Sequence, residues 1–262
     1  MSEYRNSLYV LLRQALAAQM DLGISELVIG SNSAAGMSPD KLAEAVAVRQ
    51  VSVAEALAAG QKQNHVEQAS LGIMSQPTYD SLAAHEAAIC TCQLCPLGKT
   101  RDKFVYGVGN PKADVMFIGE GPGAEEDRRG EPFVGRAGQL LDKILAAMQL
   151  DRTKVYIANV VKCRPPDNRD PLPEEMSQCL PYLREQIRLI RPKMICALGR
   201  IAAQALLNTS TPLGKLRGSW HQFESIPLLV TYHPAALLRF PQYKKDTWAD
   251  MQLILARLNK AV

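Results

Sequence analysis

No stretch of the 262 residues reaches the ~18 consecutive apolar positions that cross a bilayer. Glycine (17) and proline (16) are too few for a collagen-like or low-complexity chain. The opening MSEYRNSLYVLLRQ has neither the basic n-region nor the small-residue cleavage site of a secretory signal. Six cysteines in a reducing compartment do not make a disulfide framework, which leaves metal binding or burial for them. A soluble, cytoplasmic protein without a membrane partner is expected. The 47% hydrophobic and 21% charged residues are ordinary for a folded chain and exclude wholesale disorder.

The net charge of +4 is unevenly placed. Residues 1–78 hold five basic and seven acidic side chains, and residues 79–262 hold 25 and 19, a net +6. A basic body suits a polyanionic partner, because Lys and Arg release phosphate counterions on binding. The same excess over so many residues is also an ordinary solvated surface.

Residues 1–78 read as a helical N-terminal arm ending in a polar linker. Tyr4, Leu8, Leu11 and Ala15 recur at helical spacing. Ser38-Pro39 reads as an N-cap with proline at N1, and Ser52 with Glu55 fits a capping box. The segment's sequence reveals no function, and a docking or tethering arm for a protein partner is the expectation.

Beyond a boundary near residue 78 the pattern changes. Short apolar segments at 114–119 (DVMFIG), 154–161 (KVYIANVV), 193–198 (KMICAL) and 227–232 (PLLVTY) alternate with helical stretches at about 135–149, 173–190, 199–208 and 242–259. Leu141, Ile144, Leu145 and Met148 form one helical face, and Trp248, Met251, Leu255 and Leu258 another. Such alternation predicts an α/β fold: a three-layer α/β/α sandwich around a mostly parallel four-stranded sheet.

Ligands in open α/β sheets bind beyond the carboxyl ends of the strands. Three predicted strands end in polar chemistry. The first runs into Gly119-Glu120-Gly121-Pro122-Gly123 and, after Glu125-Glu126-Asp127, reaches Phe133. The second carries Asn159 near its end, and the fourth ends at His233-Pro234. A lone His or Asn is more often structural, so joint placement at one sheet edge carries the argument. Residues 119–124 also match a dinucleotide-binding fingerprint. Pro122 inside the turn removes an N–H that a pyrophosphate would need, the helix is not expected directly after the loop, and no acidic residue closes a second strand ~20 residues on.

Among the cysteines, Cys92-x2-Cys95 allows two thiolates to converge on one metal. Cys163 and Cys179, sixteen apart across a proline-rich loop, could join them. Spacing alone admits zinc, an iron–sulfur cluster or no metal. Cys196 lies in an apolar strand and reads as a small buried hydrophobe, whereas Cys90 could replace Cys92 as a ligand.

Several of these motifs together resemble family 4 uracil-DNA glycosylase. They are the 119–127 loop, Gly130-x-Pro132-Phe133-Val134-Gly135-x-Ala137-Gly138, Asn159-Val160-Val161-Lys162-Cys163-Arg164-Pro165-Pro166, His233-Pro234 and the four cysteines. The likeness covers about residues 85–260 and not 1–78. It implies a 4Fe–4S cluster on Cys92, Cys95, Cys163 and Cys179, and hydrolysis of the N-glycosidic bond of uracil in single- or double-stranded DNA by a monomeric enzyme. By motif match, Phe133 stacks on the flipped uracil, Asn159 bonds its edge, Glu126 crowds C5 against thymine, His233 sits near O2, and Glu120 and Gly121 line the first loop. Asn168, in the loop between the last two cysteines, is a weaker carry-over.

The chemistry fits those roles. The base must be extruded at a cost of a few kcal/mol. Phosphate contacts from Lys215, Arg217, Arg239, Lys244 and Lys245 could offset it, or these could be plain surface charges. Residues 235–238 (AALL) could wedge into the vacated stack or belong to the core. A donor at O2 stabilises the developing uracil anion, and an Asn amide matches N3–H and O4. Where other uracil glycosylases place an Asp to activate water, this chain has Gly121 beside Glu120. Either Glu120 positions the water or departure of the base runs with little base assistance, and the second is the expectation. The rival readings are a nucleotide-binding α/β protein and a non-catalytic DNA-binding module with a structural metal. A covalently trapping variant is disfavoured, because no His-bearing basic loop follows Asn159.

Overall fold

The computed structural model describes residues 79–259. The helices expected within residues 1–78 lie outside the described residues. Six strands form one sheet: β1 Val108–Gly109, β2 Val115–Gly119, β3 Tyr156–Asn159, β4 Met194–Leu198, β5 Trp220–Phe223 and β6 Ile226–Thr231. Their spatial order is β1-β3-β2-β4-β6-β5. The four expected strands are the central β3-β2-β4-β6, all parallel.

The expected count of four is corrected by two antiparallel edge strands. Neither has an apolar run to announce it. β1 is two residues long, and β5 (WHQF) is largely exposed or half-buried. Phe223 pairs with Ile226, so the β5–β6 hairpin turns on Glu224 and Ser225, with φ 54° at Glu224. Such turns usually advertise themselves with Asn or Gly.

The parallel strands are buried on both faces, so β2 and β4 read as unbroken apolar runs. Alternation still sorts their side chains. Met116 and Ile118 join one core cluster with Leu183 and Ile187 of α5 (Pro173–Ile190) and Ala202 and Leu206 of α6 (Arg200–Leu207). Val115 and Phe117 join the other with Leu141, Ile144 and Leu145 of α4 (Arg136–Ala147) and Met251 and Ile254 of α9 (Lys244–Asn259). The three layers are therefore α/β/α. Shorter helices complete the order: α1 Leu82–Ile89, α2 Leu97–Thr100, α3 Ala124–Arg129, α7 Leu213–Leu216 and α8 Pro234–Arg239. No helix among the described residues is long and apolar enough to cross a membrane.

From β2 the chain moves to β3 on one side, then crosses to β4 on the other. Loops leaving the strand ends diverge there and open a crevice, where ligands of such sheets bind.

Candidate active site

A cavity of about 610 Å³ opens at that carboxyl edge, and Glu120, Gly121, Glu126, Phe133, Asn159 and His233 all line it. Asn168 lines it too, its Oδ1 accepting from Nε of Arg164 at 2.8 Å.

Asn159 is the last residue of β3, in register with Gly119. Its side chain is buried, and Oδ1 has no hydrogen-bond partner. Leaving such an acceptor unpaired costs about 1–3 kcal/mol. Gly119 leaves it room: a Cβ there would lie 2.5 Å from that oxygen and 2.6 Å from Cζ of Phe133.

Phe133 sits on the turn between α3 and α4 with φ 56°, a left-handed backbone rare for a bulky residue. Several contacts hold it there. Glu126 accepts from the N–H groups of Val134 and Gly135 at 2.9 and 2.8 Å with one oxygen, and from Gly123 at 3.1 Å with the other. Arg152 donates to the carbonyls of Pro132 and Phe133. A Cβ at Gly138 would lie 1.7 Å from the Phe133 carbonyl oxygen, so only glycine fits. The Glu126 carboxylate is thus committed to bracing the aromatic turn as well as walling the cavity.

The same contact bears on nucleotide binding. Contrary to expectation, a helix does begin directly after the glycine loop, α3 at Ala124. Its first free amide is taken by Glu126, which puts a carboxylate where a pyrophosphate would lie.

His233 is the N-cap of α8, and its Nδ1 accepts from the backbone N–H of Ala235 at 3.1 Å. Burial foremost, with the Arg239 charge, lowers its pKa to about 4 against the opposing pull of Glu126. The ring is therefore neutral near pH 7, and the acceptor role of Nδ1 leaves Nε2 with the proton, as a donor. Burial foremost, then the Asp170 charge, pushes Glu120 up to about 7 despite Arg200. Asp170 lines the cavity and pairs with Arg200. Sequence reasoning missed this pair, and nothing in its local pattern marks it.

The surface cations divide. Arg239 is exposed and lines the cavity. Arg217, a candidate for either phosphate contact or plain surface charge, is neither: it donates to Asp250 at 2.9 Å and to the Asp246 carbonyl at 2.8 Å. Asp250 is buried and also accepts from Thr231 at 2.7 Å, so that arginine is tied to the interior. In the 235–238 segment Leu237 is core and Leu238 is 41% exposed, so only the latter is free to wedge.

Of the four cysteines of the expected ligand set, three sit among donors. Cys163 accepts from Arg101 Nη1 at 3.1 Å, and Cys179 from the Lys162 N–H at 3.4 Å. Cys92 accepts from the Tyr182 hydroxyl at 3.3 Å and the Leu94 N–H at 3.5 Å. Cys95 and Cys92 both bear on the electrostatics of Cys163, and Cys95 on that of Cys179. Cys90 is exposed with its thiol turned to the Ala87 carbonyl, and Cys196 is buried in β4. Among the described residues no three His, Cys, Asp or Glu side chains form a group able to hold a metal ion.

With fold and cavity in view, comparison with known proteins is decisive. The model of the uracil DNA glycosylase superfamily matches residues 106–252, and the chain belongs to that superfamily. Within it the chain is similar to proteins named type-4 uracil-DNA glycosylase. Those of Archaeoglobus fulgidus and Pyrobaculum aerophilum are each 45% identical over 63% of this chain and cover 87% and 88% of their own lengths. A type-5 uracil-DNA glycosylase of Pyrobaculum aerophilum is 33% identical over 49% of this chain and 64% of its own length. The resemblance stated from the motifs therefore holds.

Proposed function

We propose that the cavity takes a uracil extruded from DNA and that the chain hydrolyses its N-glycosidic bond, leaving an abasic site for base excision repair. The observation that carries this reading is the buried, unpartnered Oδ1 of Asn159 inside a cavity walled by Phe133 and His233. An acceptor held there without a donor is completed by the N3–H of uracil, while the amide nitrogen can meet O4. Cytosine presents the opposite polarity and leaves groups unpaired, which is costly.

Phe133, fixed by folding, offers a face for the pyrimidine to stack on. As the bond breaks, negative charge develops on the uracil oxygens. The Nε2–H of neutral His233 stabilises it more in the transition state than in the ground state. Glu120, half-ionised near neutrality, has the pKa of a group that orients or deprotonates water. This reading favours Glu120 over a reaction with little base assistance. Glu126 acts through the Phe133 turn, and Gly121 leaves the first loop open.

Cys92, Cys95, Cys163 and Cys179 would hold a 4Fe–4S cluster. N–H and O–H donors aimed at sulfur are the surroundings such ligands have. Bound there, the cluster would supply a rigid tie between the 92–95 loop and the 163–179 loop, since glycosidic hydrolysis needs no electron. The enzyme domain is taken as residues 79–262, monomeric and cytoplasmic, with residues 1–78 left for a protein partner.

The test is release of uracil from a uracil-containing oligonucleotide. Asn159→Ala and His233→Ala should each lower single-turnover rates by about 10²–10³-fold with DNA affinity nearly intact. Near-parental turnover in both variants overturns the site.

A further inference from the structure

The reaction above gives no task to the lysine that follows Asn159 on the way to Cys163. Lys162 is fully buried, three residues beyond Asn159 and next to Cys163. Its Nζ donates to the backbone carbonyl of Asn159 at 2.9 Å and to Oε1 of Gln186 at 2.6 Å. Gln186, fully buried on α5, is itself anchored: its Nε2 donates to the Tyr106 carbonyl at 3.0 Å and approaches the Tyr156 hydroxyl at 3.5 Å. The Lys162 carbonyl accepts from the Val105 N–H at 2.9 Å. An aliphatic side chain would fill this space without the cost of taking an amine out of water. A lysine here is explained by what its Nζ holds.

What it holds is the residue whose aim matters. The Asn159 Oδ1 has no protein partner to orient it, so the direction of the amide is set by the backbone beneath and by packing around Gly119. We propose that Lys162, braced by Gln186, is a positioning residue for uracil recognition, pinning the Asn159 carbonyl at the end of β3 and thereby fixing how the amide enters the cavity. This rests on the reading of Asn159 as the group that recognises the base.

The experiment compares Lys162→Met, Gln186→Met and Asn159→Ala with the parent, all as full-length iron-loaded protein. It measures the inhibition constant of free uracil and the affinity for abasic-site DNA. Lys162→Met should weaken free uracil by about tenfold, a change of about 1.4 kcal/mol, while abasic-site affinity and iron content stay within about twofold of the parent. Gln186→Met should shift the same constant in the same direction, and it carries the test if Lys162→Met does not fold. The inference is overturned if both variants bind uracil like the parent while Asn159→Ala does not. It is overturned equally if they lower only thermal stability or iron content, with the uracil constant of the folded fraction unchanged. If Asn159→Ala also binds uracil normally, the recognition site itself is wrong and the inference falls with it.

Discussion

The phenyl ring of Phe133 stands 5.4 Å from the imidazole of His233, inclined by 31°. One belongs to the turn before α4, the other to the N-cap of α8, a hundred residues later. They form adjoining walls of the cavity.

Gly119 stands behind these walls. A methyl group there would press on Asn159 Oδ1 at 2.5 Å and on the Phe133 ring at 2.6 and 2.8 Å. Both are side-chain atoms that can swing away, so Gly119→Ala should fold yet displace the recognition groups. Uracil release should fall by at least about tenfold, the scale on which slight misplacement slows catalysis. Abasic-DNA affinity should be retained. Single-turnover kinetics and binding titrations on one preparation check this.

Glu120 makes the pH profile informative. With its folded pKa raised to about 7, the folded state binds more protons than the unfolded chain between about 4.5 and 7. The stability this group contributes is present at low pH and is lost as pH rises through that window. Glu120→Gln should flatten that decline and leave the variant more stable than the parent at pH 8. The parent's rate should rise through an apparent pKa near 7, and the variant should lack that rise at a rate lower by about 10²-fold. Denaturant unfolding and single-turnover rates across pH 5–9 measure both; an unchanged rate profile removes Glu120 from water activation.

Arg217 and Arg239 should separate cleanly. Arg217→Ala leaves Asp250 buried without its cation and should cost about 3 kcal/mol of stability, with an unchanged salt dependence of DNA binding. Arg239→Ala should leave stability alone and reduce the slope of log affinity against log salt by about 1. Denaturant unfolding and binding at several salt concentrations distinguish the two.

For the cysteines, Cys163→Ala should lower bound iron, absorbance near about 400 nm and solubility together. Cys90→Ser should change none of them, because its thiol turns away to Ala87. Iron analysis and absorbance spectra decide it; normal iron in Cys163→Ala would move the ligand set.

The central strands were legible because burial on both faces makes them continuous apolar runs, and the long helices because their faces repeat every three to four residues. The edge strands were not, since β1 is only Val-Gly and β5 alternates around an exposed Gln222. In the site, strand-end position and motif together picked out Phe133, Asn159 and His233. They did not reveal what Glu126 and Arg152 do, because hydrogen bonds to backbone amides and carbonyls leave no mark in sequence spacing. Nothing in ANVVKC signals that Lys162 is buried, since that depends on Gln186 of a distant helix facing it. The interior tie of Arg217 was not legible because its partner Asp250 is 33 residues away on α9.

Phe133 is locked in its left-handed turn by Glu126, Arg152 and the bare Cα of Gly138 before any substrate arrives. The backbone under the aromatic wall of the cleft is therefore set by the fold itself. The ordering cost of recognition then falls on the nucleic acid, and a base that is already unstacked has less of it left to give up.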